Sequence, residues 1–299
     1  MKQQRLVPID LMKSTLFLFV ILILLITSVN LITVAAESSY SNSTSDSTKW
    51  LSANSTNAQS LDQTHNVFLP IVIKPAPPWV VTFADNFEGT FPGSWEVMSS
   101  RYNWDDGNWY DITSEISWGK RNCRVFSGAY SAWMSGGGSI GSTALCSDGY
   151  PDDYEAWLVY GPVDLSHVYD AYASLQFWAD IEYDYDFMGW GISIDNDMFY
   201  GSEYSGTSNG WVEDTIDLKN VYTLGNVIGK SQVWIGIWFS SDVLNYEFYE
   251  GAAIDDFYLS SCSSSTGCIG NPILSSDRLL VENTLISKVV ERQKPWGED

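Results

Sequence analysis

Between Asp180 and Phe187 the chain reads DIEYDYDF, with Asp180, Glu182, Asp184 and Asp186 at every second position and Ile181, Tyr183, Tyr185 and Phe187 between them. A period of two puts alternate side chains on opposite faces of an extended strand, and no face of a helix collects such a pattern. The spacing predicts a β-strand running on to Asn196, acidic on one face, apolar and aromatic on the other. Like charges stacked about 7 Å apart repel, so the acidic column is either a solvated face or a place for a cation or ligand. A second strand pattern, EGAAIDDFYLSSC from Glu250 to Cys262, carries the adjacent acids Asp255 and Asp256. Neighbours on a strand point to opposite faces, so one of the two enters the sandwich or its edge and needs a partner there.

Further short apolar runs sit between Gly, Asn and Asp punctuation: Val80 to Phe87, Ala129 to Met134, Glu155 to Tyr160, Ala173 to Tyr183, Phe187 to Ile194, Val233 to Phe239 and Ala252 to Leu259. No helix-period segment of comparable strength interrupts them. Many strands with turn signals between them predict an all-β jelly-roll or similar β-sandwich from about Trp79 to Cys262. Beyond it, residues 263–299 form a tail in which Ser276 to Lys294 has helix-compatible apolar spacing, Ser276 as N-cap and Pro295 as a stop. That segment is expected to be a short terminal helix or a disordered tail.

Aromatic residues make up 15% of the 299 residues, enough for a sizeable core. A net charge of -22 opposes nucleic acid and anionic membranes, since phosphate contacts require Lys and Arg. At the amino terminus Lys2, Arg5 and Lys13 flank an apolar run from Leu16 to Ile26, with Val34-Ala35-Ala36 as small residues for cleavage. This is the pattern of a secretory signal peptide over residues 1–36; an uncleaved anchor over Leu16 to Ala36 is the alternative. The chain is expected to be secreted or held at the cell surface, with no membrane insertion once the signal is cleaved. Residues 37–78 then form a flexible Ser/Thr/Asn-rich stalk and Pro-rich linker, with sequons at Asn42 and Asn54.

Four cysteines in an exported chain favour two disulfides. Three pairings exist. Cys123 with Cys146 and Cys262 with Cys268 are preferred, because each pair brackets a short Gly- and Ser-rich segment. Zinc is the rival, but the spacing matches no zinc ligand set. Two GxSxG matches, at Ser139 and Ser208, lack the strand-to-helix context that a nucleophile elbow needs.

In RYNWDDGNWYD, Tyr102, Trp104, Trp109 and Tyr110 interleave with Asn and Asp. Rings stack on sugar faces while the polar groups take hydroxyls, so these four are the candidate ligand-binding residues; the alternative folds some of them onto the sandwich. Trp133, Trp157, Trp178, Trp190, Trp234 and Trp238 lie within apolar strand patterns and read as core.

The order FEG (Phe87 to Gly89), SGAYSAW (Ser127 to Trp133), LQFWADIEYDYDFMGWGIS (Leu175 to Ser193), VWIGIWFSSD (Val233 to Asp242) and EGAAIDDFYL (Glu250 to Leu259) resembles MAM-like jelly-roll domains. The likeness extends to the bacterial choice-of-anchor J group and to the accessory domain of immune inhibitor A family secreted metallopeptidases. The peptidases' HExxH is absent, so the resemblance implies the accessory module without the catalytic one. It also implies a structural calcium ion, with Asp85 and Glu88 near the first strand and Asp255 and Asp256 on the last as ligands. Glu182 and Asp186 match the family pattern and are the other candidate metal contacts. The expected function is adhesion or binding of an extracellular glycan or protein, with no catalysis. A jelly-roll glycosidase using strand carboxylates is the alternative, although the column lacks a suitable pair of glutamates.

Overall fold

The computed structural model describes residues 76–243, 248–272 and 285–295. The expected signal peptide and stalk, up to residue 75, lie outside them. The described residues belong to one compact unit, Lys74–Asp299.

Its strands are β1 (Val80–Asp85), β2 (Glu96–Asn103), β3 (Asn108–Asp111), β4 (Ser117–Arg121), β5 (Ser131–Gly137), β6 (Tyr154–Val163), β7 (Asp170–Asp180), β8 (Phe187–Ser193), β9 (Met198–Ser205), β10 (Val212–Asp217), β11 (Val233–Ser240), β12 (Gly251–Cys262) and β13 (Ile286–Gln293). One sheet runs β10-β7-β12-β5-β4, with β1 also on β12; the other runs β13-β9-β8-β11-β6-β2-β3. All named pairings are antiparallel. Successive strands from β5 to β8 and from β9 to β12 cross between the sheets. This is the expected all-β jelly-roll sandwich.

The core lies between the sheets. Alternate residues of β7 (Ala171, Ala173, Leu175, Phe177, Ala179) face Leu158, Trp190, Ile192, Ile235, Ile237 and Phe239 of the second sheet, all fully buried. Both expected disulfides are present, Cys123–Cys146 with Cα atoms 5.5 Å apart and Cys262–Cys268 with 5.9 Å. Of the tryptophans read as core, Trp133, Trp157, Trp190 and Trp238 are buried, while Trp178 and Trp234 are half-buried.

The structure corrects three expectations. The acidic column is not a strand: β7 stops at Asp180, and residues 181–186 turn before β8. Pairing with β12 ends at Asp180↔Gly251, and Asp184 takes a left-handed φ of 69°. The turn breaks the expected alternation, leaving Tyr183 and Tyr185 exposed beside Asp184 while Ile181 and Asp186 are both wholly buried. The second correction concerns the carboxyl-terminal helix. Residues 286–293 form strand β13 on the edge of β9, Ile286↔Ser205 through Gln293↔Met198. Ile286, Val289 and Val290 are β-branched and fit a pleated surface, and the open edge of β9 decides between two patterns that the spacing alone allows. The sandwich thus draws on residues beyond Cys262. The remainder of the expected helix, residues 276–284, lies outside the described residues.

Third, Asp255 and Asp256 are not on opposite faces. Register shifts between Asp255 and Tyr258, and Asp256 has φ 44°, the mark of a β-bulge. Here one edge of β12 passes from β5, which pairs at Ala253 and Ile254, to β1, which pairs from Phe257 onward. The gap is filled by residues 126–127. Asp255 Oδ2 accepts from the backbone N–H groups of Phe126 (2.9 Å) and Ser127 (3.1 Å), and the Ser127 hydroxyl donates to Asp256 Oδ1 (2.8 Å).

Candidate functional site

β2 and β3 form a hairpin at the edge of the second sheet, in the register Ser100↔Asp111 to Asn103↔Asn108. The turn chemistry is written locally. Asn103 Oδ1 accepts from Asp105 N–H (2.9 Å), Asp106 Oδ1 accepts from Asn108 N–H (3.1 Å), and Gly107 N–H donates to Asn103 C=O (2.8 Å). Gly107 takes φ 74°, a conformation glycine enters without steric cost. Every residue of β3 is exposed, so the hairpin stands clear of the core.

A cleft of about 460 Å³ opens at its base, lined by Arg101, Tyr102, Asn103, Trp104, Asp105, Tyr110, Ile112 and Asp153. Trp104 is 65% exposed, and its indole Nε1 donates to Asp153 Oδ2 (2.8 Å). The Tyr102 ring stands edge-on to Trp104, with centroids 4.9 Å apart. The Tyr110 hydroxyl donates to Asp106, which holds the Asp106 carboxyl below its ordinary range and pushes the phenol up. Three of the four expected ligand-binding residues therefore line one cleft. The fourth, Trp109, is outside the lining and packs on Tyr102 at 5.4 Å. Arg101 and Asp153 were not anticipated. The only sequence sign of Asp153 was an acidic pair following Pro151 just before a strand.

The six expected metal ligands divide into two groups. Near β1 and β12 the carboxylates are taken up by the chain itself. Asp85 accepts from Phe87 N–H (2.7 Å) and Trp95 Nε1 (3.0 Å). Glu88 Oε1 accepts from Ala129 N–H (2.6 Å) and Tyr130 N–H (2.8 Å), which hold its carboxyl below the usual range. Asp255 carries three backbone N–H donors, counting Asp256 (2.8 Å), yet burial pushes it up to about 6. No three of Asp85, Glu88, Asp255 and Asp256 bring a carboxylate oxygen each within 4.8 Å of one another.

Glu182 and Asp186 do come together, with Asp242, which is not among the ligands expected from the sequence. One carboxylate oxygen from each lies within 4.8 Å of the others, the only such group of three or more metal-ligating side chains among the described residues. Asp186 is fully buried, and its oxygens accept from the Tyr150 hydroxyl and from Asp242 N–H (2.9 Å). Burial pushes Asp186 up to about 6. Carboxylates are the hard oxygen donors that calcium takes, though it needs six to eight oxygens in all. Asp180 and Asp184 lie outside this group. Ser208 is buried, with its hydroxyl donating to Gly210 C=O (2.6 Å), and Ser139 lies in no more than a four-residue helix, α1 (Gly138–Gly141).

The outer face of the second sheet holds a second aromatic cluster of Trp157, Val159, Phe199 and Trp238. Trp157 Nε1 donates to Glu155 Oε1 (3.0 Å) and Trp238 Nε1 to Glu203 Oε1 (2.8 Å). Arg292 of β13 reaches both acids, with Nη2 2.9 Å from Glu155 Oε1 and Nη1 3.4 Å from Glu203 Oε1. The Trp238 indole lies directly over Gly189, where a Cβ would come within 2.6 Å of it.

No family model matches the chain, and no curated protein matches it. Similarity to solved structures is distant. A xylan-binding domain from CBM 22 is 12% identical, with a TM-score of 0.31, covering 62% of this chain and 96% of that one. TmCBM61 in complex with beta-1,4-galactotriose is 13% identical, with a TM-score of 0.33 and coverage of 55% and 86%. A cleaved adhesin domain of Lys-gingipain from Porphyromonas gingivalis is 12% identical, with a TM-score of 0.36 and coverage of 61% and 100%.

Proposed function

We propose that this chain is an exported, non-catalytic β-sandwich module that binds an extracellular glycan or protein ligand in the β2–β3 cleft. The observation that carries the reading is the Trp104 ring, 65% exposed yet held by a hydrogen bond to a different strand's entrance. A large ring kept out of the core and fixed in one orientation is a prepared stacking surface, flanked here by the hydrogen-bonding groups of Arg101, Asn103 and Asp105. The cleft lining holds no Ser, His or Cys, and its carboxylates are Asp105 and Asp153. Among the described residues no helix is long and apolar enough to cross a membrane. Export rests on the amino-terminal pattern. The MAM-like assignment rests on the sequence motifs, of which Asp255-Asp256 is the most specific.

Calcium belongs to the same proposal, carried by Glu182, Asp186 and Asp242. Three carboxylates so close repel one another, and a cation bound only by the native state stabilises by mass action. Excess chelator is expected to lower the Tm of the purified chain and added calcium to restore it. An unchanged melting curve together with no metal by elemental analysis removes calcium.

The test of the function is retention on a glycan and cell-wall array. Wild type is expected to be retained without releasing product, and Trp104→Ala to lose retention at unchanged Tm. Release of reducing sugar that stops in Glu182→Gln would replace this reading with the glycosidase one.

A further inference from the structure

We propose that Asp153 is the specificity-determining residue of the β2–β3 cleft and that it selects uncharged glycans over acidic ones. The inference rests on the binding function proposed above and adds the ligand class.

Asp153 is fixed more firmly than a surface loop residue needs to be. Its N–H donates to Asp242 C=O (2.7 Å) and its C=O accepts from Tyr102 N–H (2.9 Å), so its backbone is tied both to the end of β11 and to the hairpin. It takes φ 55°, a left-handed conformation that Asp enters more readily than most residues with a Cβ. From that position its carboxylate takes the indole Nε1 of Trp104 at 2.8 Å. An exposed indole would otherwise exchange between rotamers. Tethering it removes an ordering cost that binding would have to meet.

The same carboxylate sets the charge of the cleft. Arg101 is the one cation in the lining, against Asp105 and Asp153, and the whole chain carries -22. Neutral sugars suit this balance, because hydroxyls donate to carboxylates and accept from a guanidinium. A uronate or sulfated sugar would bring a third anion against two carboxylates and one cation, with the field of the protein adding to the repulsion.

The test uses the full chain on immobilised neutral polysaccharides (xylan, galactan, mannan) and acidic ones (polygalacturonate, chondroitin sulfate), with a Tm for each variant. Wild type should be retained on at least one neutral polymer and on neither acidic one. Asp153→Asn keeps an acceptor for Trp104 and tolerates the left-handed backbone. Its ratio of acidic to neutral affinity should rise at least about threefold over that of wild type. Trp104→Phe, which keeps a ring and loses the donor, should lose about tenfold on the neutral polymer. Asp153→Ala should do the same, and the double variant no more than either. The proposal is overturned if Asp153→Asn gains nothing on acidic polymers relative to neutral ones, or if the losses in Trp104→Phe and Asp153→Ala simply multiply. If wild type is retained on none of the polymers, or Trp104→Ala binds as wild type does, the glycan reading of the cleft itself fails. A result in which Trp104→Ala abolishes retention but the Asp153 variants are silent sinks only the role of Asp153.

Discussion

Two sets of aromatic residues share the outer face of the seven-stranded sheet and have opposite fates. The register Met98↔Trp157 and Tyr102↔Trp109 places the hairpin ring of Tyr102 on the same face as Trp157 and Trp238. In both places an indole N–H is bound to a carboxylate: Trp157 to Glu155, Trp238 to Glu203, Trp104 to Asp153. At the centre of the face the rings are fully buried, because Arg292 spans both glutamates and the sheet beneath Trp238 is glycine. At the hairpin the corresponding ring is open to solvent. The indole–carboxylate pair is therefore neither a structural nor a binding device in itself. What lies over it decides.

The largest effect that would break this comparison is on stability. Trp238→Ala should cost about 3–5 kcal/mol, the usual loss for a buried Trp, read as a lower midpoint in denaturant. A nearly unchanged midpoint would mean the central cluster is open like the hairpin.

The next prediction concerns buried Asp186, in the turn between β7 and β8. A carboxyl whose folded pKa is raised contributes stability that is complete below its unfolded value and is lost as pH rises through its folded value. For Asp186 that window runs from 3.8 to about 6. The metal-free chain should lose stability across it, on the order of 2–3 kcal/mol from this group. Asp186→Asn should flatten that part of the curve, leaving the contribution of Asp255, which is raised over a similar range. Equal pH profiles for wild type and variant would show that Asp186 does not titrate there.

A smaller cost, about 1.5–3 kcal/mol, is expected from Arg292→Met, which takes a charged donor from two nearly buried glutamates while Lys288 still reaches Glu203 at 3.4 Å. Quenching of tryptophan fluorescence should increase as the central rings become accessible. No change in either reading would show that Arg292 does not cover the cluster.

The smallest stability change belongs to Trp104→Ala with Trp109→Ala, within about 0.5 kcal/mol, accompanied by loss of retention on the glycan array. Because Trp109 is outside the cleft lining, Trp104→Ala alone should account for most of that loss. A double variant that unfolds easily would show the hairpin rings to be core after all.

Much of this was legible in the chain. The hairpin's exposure follows from Asn103, Asp106 and Asn108, whose side chains build the turn locally and could not be buried cheaply beside the rings. The disulfide pairs were readable because each closes a short loop. The strand reading failed at residues 181–186, where alternation persisted but the pairing partner ended at Gly251. For residues 286–293 the apolar spacing allowed a helix, and only the free edge of β9 selected the strand.

The sequence by itself determined the β content, the two cross-links and a polar, ring-bearing segment from Tyr102 to Asp111, because alternation, loop closure and turn chemistry act between near neighbours. Only the tertiary structure decided which carboxylate meets which ring. Arg292 finds Glu155 across 137 residues, Trp104 finds Asp153 across 49, and Glu182 and Asp186 meet Asp242 where two connections converge. Such contacts depend on strand order and register, which no local pattern encodes.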